Sequence, residues 1–171
     1  MIRRGNLKDV LLLQTIGKKT FADTFSNTCT KEDMQGVLEL FFNPEQIASE
    51  LADDADNYFF FEEEGIAKGY MRIHSKHACP VVSFQNRKSI ELVRLYVLEE
   101  FHGTGVANKL MDFAIDYARA NGFDGMYLSV WEYNFRARGF YEKHGFRNSG
   151  VENDFPLGST PQTDYWFVRE L

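Results

Sequence analysis

The chain has only two cysteines, Cys29 and Cys79, far apart and without a CxxC spacing. That argues against a disulfide framework or a thioredoxin-like pair, and it predicts a reduced, cytoplasmic setting. No apolar run approaches the ~18–20 residues of a membrane span, so no membrane partner is expected. The opening MIRRGNLKDVLLLQTIGKK has basic residues but only a short VLLL run between charges. It reads as mature chain, not as a signal peptide. Positive charge is not in excess. Nineteen Lys and Arg face 25 Asp and Glu, and the net charge of −6 disfavours nucleic acid as a partner. Repeats, low-complexity tracts and Pro/Gly/Ser-rich linkers are missing too. The 171 residues therefore read as one domain, 1–171, large enough to bury a core.

Aromatics are abundant at 15%, with 16 Phe, which argues against disorder. Charge is unevenly spread: residues 32–67 carry eleven acidic side chains and no Lys or Arg. Such a stretch is either a solvated acidic face or a field that draws in a cationic small molecule.

IRRG reads as a short first strand, and Leu7, Val10, Leu11, Phe21 and Phe25 suit a helix. Thr30 with Asp33 three residues on forms a variant capping box, and Asn43-Pro44 forms an N-cap with proline at the first helical position. Then the period changes. NYFFFEEE and IAKGYMRIHS flank Glu64-Gly65 as a hairpin, and residues 76–88 read as a loop. SIELVRLYVL is a strand. Val106, Leu110, Phe113, Ala114 and Tyr117 recur at helical spacing, and Gly122 stops that helix. GMYLSVW is a strand, NFRARGFYEKHG a short helix, and two strands close the chain, one from Phe146 and one over TDYWFVREL. The order β, helices, β-β-β, α, β, α, β, β predicts an α/β fold with a mixed sheet.

Between the strand and helix of the second half lies LEEFHGTGVANKL. Free N–H groups at a helix start, with the helix dipole behind them, form an anion site, and small residues let a pyrophosphate approach. Gly103, Gly105 and Ala107 are small, and Thr104 and Asn108 can add side-chain donors. GxxxxGK[ST] is absent, and GTGVAN breaks the dinucleotide fingerprint at Asn108. On this stretch alone a purely structural turn remains a competing reading.

HGTGVA resembles the [Q/R]xxGx[G/A] loop of the GCN5-related N-acetyltransferases (the GNAT family), with His102 in place of Arg or Gln. VWEYNFRARGFYEKHGF resembles that family's second signature, and the two are correctly ordered and spaced. The tail, with QTDYWFVREL, is similar to the bacterial spermidine/spermine N-acetyltransferases.

The resemblance implies a mixed, twisted sheet of about seven strands flanked by helices, with the fourth and fifth strands splayed apart. It implies acetyl-coenzyme A as co-substrate. Leu95, Tyr96 and Val97 would line the pantetheine arm with backbone groups, and an N–H near Val97 would meet the thioester oxygen. His102, Gly103, Thr104, Gly105, Val106, Ala107 and Asn108 would cradle the pyrophosphate. Asn134 would bond the arm, and Lys143 would approach the phosphates. His102 offers one donor where arginine offers a fork, so His102→Arg should tighten binding.

Two residues are the candidates for the chemistry. Glu91 is the base candidate, because it shares strand parity with Val93, Leu95 and Val97; Glu132 is the reserve. Tyr141 is the acid candidate, facing the coenzyme sulfur by resemblance. His74 and His77 near Cys79 lack a good fourth ligand, so no metal is expected. The expected partner is a small-molecule amine, spermidine first, with a homodimer as an option for assembly. A protein or peptide N-acetyltransferase and a non-catalytic coenzyme A-binding domain are the alternatives.

Overall fold

The structure is a computed structural model describing residues 1–171. The chain runs β1 (Ile2–Arg4), α1 (Val10–Phe25), α2 (Lys31–Phe41), α3 (Pro44–Ala52), β2 (Asp56–Glu63), β3 (Ile66–His74) and β4 (Ser89–Val97). It continues α4 (Val106–Ala120), β5 (Gly125–Trp131), α5 (Phe135–Lys143), β6 (Arg147–Asp154) and β7 (Thr163–Glu170). This is the expected order of elements. Side chains cap three of the helices as their sequences require. Thr30 accepts from Asp33 N at 3.1 Å, Asn43 from Gln46 N at 2.7 Å and Asn134 from Ala137 N at 3.1 Å.

One seven-stranded sheet holds all the strands, in the order β1-β2-β3-β4-β5-β7-β6. Every neighbouring pair is antiparallel except β4 and β5. Parallel neighbours need a crossover, and α4 supplies it. The parallel pairing is brief: Ser89, Ile90 and Glu91 face Gly125, Met126 and Tyr127, and beyond them the strands part.

β4 carries a bulge. Arg72 of β3 faces Arg94 while Ile73 faces Leu92, so Val93 has no partner. An extra residue reverses side-chain parity. Ile90 and Leu92 before the bulge share a face with Leu95 and Val97 after it, against Phe59, Met71, Leu110 and Phe167. Glu91, Arg94 and Tyr96 take the opposite face. Tyr96 there packs against the Tyr58, Phe60 and Tyr70 cluster under α1–α3. The expected sharing of parity between Glu91 and Leu95 or Val97 is therefore overturned.

A second difference lies in the first helix. A 3₁₀ turn over Leu7–Asp9 precedes it, and Leu7 and Leu11 are 59% and 71% exposed. The buried stripe is Leu13, Ile16, Gly17, Thr20, Phe21 and Phe25. Gly17 is what lets Phe42 close on the helix, since a Cβ there would lie 2.4 Å from the Phe42 ring.

Gly69 sets how closely β3, β4 and α4 approach. It faces Val97, and a Cβ on it would stand 2.8 Å from the Tyr96 carbonyl oxygen and 3.3 Å from Val106 Cγ1. Gly69→Ala should lower stability by roughly 1–3 kcal/mol, the usual range for overpacking. Urea unfolding measures it, and a midpoint equal to that of the natural chain would show that this contact is not tight.

Candidate active site

Where β4 and β5 part, the sheet is open, and a cleft of about 1030 Å³ passes between its two faces. The backbone of β4 lines one wall. Leu98 N donates to Lys68 O at 3.0 Å, so Tyr96 and Arg94, two and four residues back, also turn their amides to β3. The alternate residues Leu95 and Val97 turn theirs into the gap. Tyr96 thus contributes no backbone donor to the cleft, contrary to expectation; Leu95 and Val97 do.

At the end of β4 the chain enters the glycine turn. Gly103 and Gly105 have φ of 78° and 87°, the left-handed region that side chains resist. Nothing lies within 4 Å of a Cβ built on either, so the space above them is open. No side chain caps α4. Lys109 N bonds Gly105 O and Thr104 N bonds Phe101 O, while the amides of Gly103, Gly105, Val106, Ala107 and Asn108 have no protein partner. These free donors, at the positive end of a long helix, suit a phosphate.

Three side chains expected at the phosphates do not serve there. Arg136 has only donors, so its Nη1, 2.8 Å from His102 Nδ1, fixes that nitrogen as an acceptor. His102 Nε2–H then donates to the Val97 carbonyl at 2.9 Å, leaving no ring donor for a ligand. The cation at this corner is Arg136. Thr104 turns its hydroxyl back to the Phe101 carbonyl at 2.7 Å and lies outside the cleft. Lys143 is exposed on a separate concavity with Asp112, Asp116 and Arg169. It follows Tyr141 by two residues, about 200° around the helix, so both cannot face the cleft.

Tyr141 does line the cleft, from the α4–α5 side. It is 9% exposed, and its hydroxyl bonds no protein group. Burial pushes the phenol well above its usual range, so it stays protonated. Asn134 also lines the cleft; its Oδ1 accepts the cap bond from Ala137 N, and its Nδ2 amide has no protein partner.

The face toward α1–α3 is charged. Arg72 grips Asp56 at 2.7 and 2.8 Å and Glu50 at 2.8 Å. Arg94 bonds the Tyr58 hydroxyl at 2.9 Å and lies 4.8 Å over the Phe42 ring. Glu91 Oε2 is 2.5 Å from His77 Nδ1, and His77 stacks on His74 with centroids 3.3 Å apart. Of the acidic stretch 32–67, only Glu50 reaches the cleft, and it is paired. Glu62 pairs with Arg3, Glu63 with Lys68, and Asp33 bonds Ser159 and Thr160. The stretch therefore places no unpaired carboxylate in the cleft wall. Glu132 lies outside the cleft as well.

Asp164 was missed. It stands on β7 opposite Trp131 of β5, 6% exposed, and its Oδ1 has no hydrogen-bond partner. Burial raises its carboxyl to about 6, with Ser129 partly offsetting. An acid sharing strand parity with Trp166 and Val168 was the available signal. For Arg136 and Arg94 there was none, because their partners come from distant segments.

Asp53, Asp56 and His74 cluster, but Asp56 is held by Arg72, and His74 Nδ1 already accepts from the amides of Lys76 and His77. A cation on the other ring nitrogen would require an imidazolate, so this donor set does not fit a metal.

Free amides at a helix start beside a splayed parallel pair are what the resemblance to the acetyltransferases implies. The acetyltransferase (GNAT) family profile matches residues 20–146. An uncharacterized N-acetyltransferase from Lactobacillus delbrueckii subsp. lactis is 30% identical over 168 residues, covering 96% of this chain and 93% of that one. The PaiA N-acetyltransferase of Thermoplasma acidophilum, solved with coenzyme A, superposes with a TM-score of 0.80 at 16% identity, over 100% and 98% of the two chains. The ribosomal-protein-S18-alanine N-acetyltransferase of Escherichia coli gives 0.73 at 14%, over 99% and 92%. The chain belongs to the acetyltransferase (GNAT) family. It is an N-acetyltransferase that draws on acetyl-coenzyme A.

The buried Asp164 should weaken the fold at neutral pH. Above about pH 6 the carboxylate is charged both folded and unfolded, and the folded state bears the full desolvation. Below the ordinary value of 3.8 it is neutral in both and the penalty vanishes. Asp164→Asn should therefore add on the order of 2 kcal/mol at pH ~8 and nothing at pH ~3. Thermal melts at the two pH values test this; an equal shift at both would contradict it.

Proposed function

We propose that this acetyltransferase moves the acetyl group directly to a primary amine, with a polyamine such as spermidine or spermine as the first acceptor. The observation carrying this reading is that the cleft joins two unlike faces. The α4 side offers free amides, Arg136 and the protonated Tyr141. The α1–α3 side offers Glu91 and Asp164, carboxylates that meet no guanidinium. A coenzyme diphosphate suits the first, and an ammonium suits the second.

In this reading the diphosphate rests on the amides of Gly103, Gly105, Val106, Ala107 and Asn108. The arm runs along Leu95 and Val97, where the Val97 N–H meets the thioester oxygen and stabilises the charge it gains. His102 serves by bonding the Val97 carbonyl and holding Arg136 toward the phosphates. The amine attacks from the opposite face, and Tyr141 protonates the departing sulfur. One domain suffices, and the two free cysteines suit a reducing cytoplasm.

Release of free coenzyme A thiol with an acceptor panel tests the reading. Spermidine and spermine should turn over; acetylation of a peptide N-terminus alone would retire the polyamine. Tyr141→Phe should cut kcat by roughly 10²-fold or more while coenzyme A affinity in calorimetry stays within about twofold. Arg136→Ala should weaken coenzyme A about tenfold, the usual scale for a charged hydrogen bond. Full turnover by the phenylalanine variant would remove Tyr141 from the reaction.

A further inference from the structure

We propose that Asp164, rather than Glu91, binds the acceptor ammonium and takes its proton. The inference rests on the acetyl transfer proposed above. Buried carboxylates in this chain otherwise meet a guanidinium: Asp9 meets Arg3, and Glu50 and Asp56 meet Arg72. Asp164 meets none. An orphaned buried carboxylate oxygen is costly and rare, and this one stands in the wall of the cleft. The missing partner must be small enough for the cleft, cationic and rich in donors. An alkylammonium has all three properties.

Position favours it too. Glu91 is level with Tyr127, where β4 and β5 are still paired. Counting forward past the bulged Val93 brings Tyr96 level with Trp131, the cross-strand partner of Asp164. Asp164 thus lies across β5 at the level of Tyr96 and Val97, whereas Glu91 lies about 13 Å back along β4 at about 3.3 Å per residue. Glu91 is also already bonded to His77.

The groups facing Asp164 leave it free. From β4 comes Tyr96, its phenol kept protonated by burial. From β5 come Ser129 and Trp131, the latter covered by Phe25 of α1, and from β6 comes Asn153. No cation is among them.

The step balances. The ammonium gives one proton to Asp164, which passes it to water. The amine forms the C–N bond at the thioester carbonyl, and the C–S bond breaks. Tyr141 protonates the sulfur and is refilled by the second N–H proton, leaving an amide, a thiol and one proton released.

Asp164→Asn keeps the shape and removes the base. With acetyl-coenzyme A and spermidine, kcat/KM should fall roughly 10²–10³-fold with coenzyme A affinity unchanged in calorimetry. The acidic limb of the natural enzyme's profile, near pH 6, should vanish in Asp164→Asn and persist in Glu91→Gln. A limb that survives in Asp164→Asn overturns the proposal. An infrared titration with ethylamine on the coenzyme A-loaded protein needs no turnover. At pH ~5, below the Asp164 value of about 6, ethylamine should convert the Asp164 carboxylic C=O band, absent from Asp164→Asn, to carboxylate. A band response without spermidine turnover keeps Asp164 and retires the polyamine. Spermidine turnover without a band response retires Asp164.

Discussion

The site depends on how little of β4 and β5 is hydrogen-bonded together. Three residues of each strand pair, and then the two diverge. Each strand keeps an antiparallel partner on its other side, β3 for β4 and β7 for β5, so the sheet survives the opening. The exposed backbone of Leu95 and Val97 would be an unsatisfied edge in a closed fold. Here it is a row of donors and acceptors for an extended ligand. An extended arm can replace the missing strand without any side chain having to recognise it.

The bulge at Val93 converts that gap into a site with two chemistries. It keeps Ile90, Leu92, Leu95 and Val97 on the apolar face while Glu91, Arg94 and Tyr96 face α1–α3. Without the extra residue, the strand beyond it would present Leu95 and Val97 to the charged side. The core beneath α4 would lose both residues. A one-residue irregularity therefore separates the apolar half of the cleft from the charged half.

Much of this was legible in the chain. Periodicity and caps gave the element order, because Thr30 and Asn43 act on neighbours three residues away. The glycines at 103 and 105 announced backbone conformations that only local sequence decides. What failed was everything set by pairing across the fold. SIELVRLYVL alternates plausibly in either register, so the bulge and the true face of Glu91 are decided by β3. His102 was read as a phosphate donor because its partner, Arg136, is 34 positions away. Lys143 was misplaced by motif matching, where counting the turn of the helix from Tyr141 would have sent it outward.

Local rules are broken in this chain mainly around the cleft. α4 has no side-chain cap, β4 leaves the amides of Leu95 and Val97 without a strand partner, and Asp164 is buried without a cation. Each is a cost to the fold, and each group calls for a partner of definite charge and shape. The uncapped amides want an anion, the strand edge wants an extended chain, and the carboxylate wants an ammonium. An acyl-coenzyme thioester supplies the first two in one molecule and an amine supplies the third. In the proposed reading these groups describe both substrates, with the acetyl carbon at the Val97 amide.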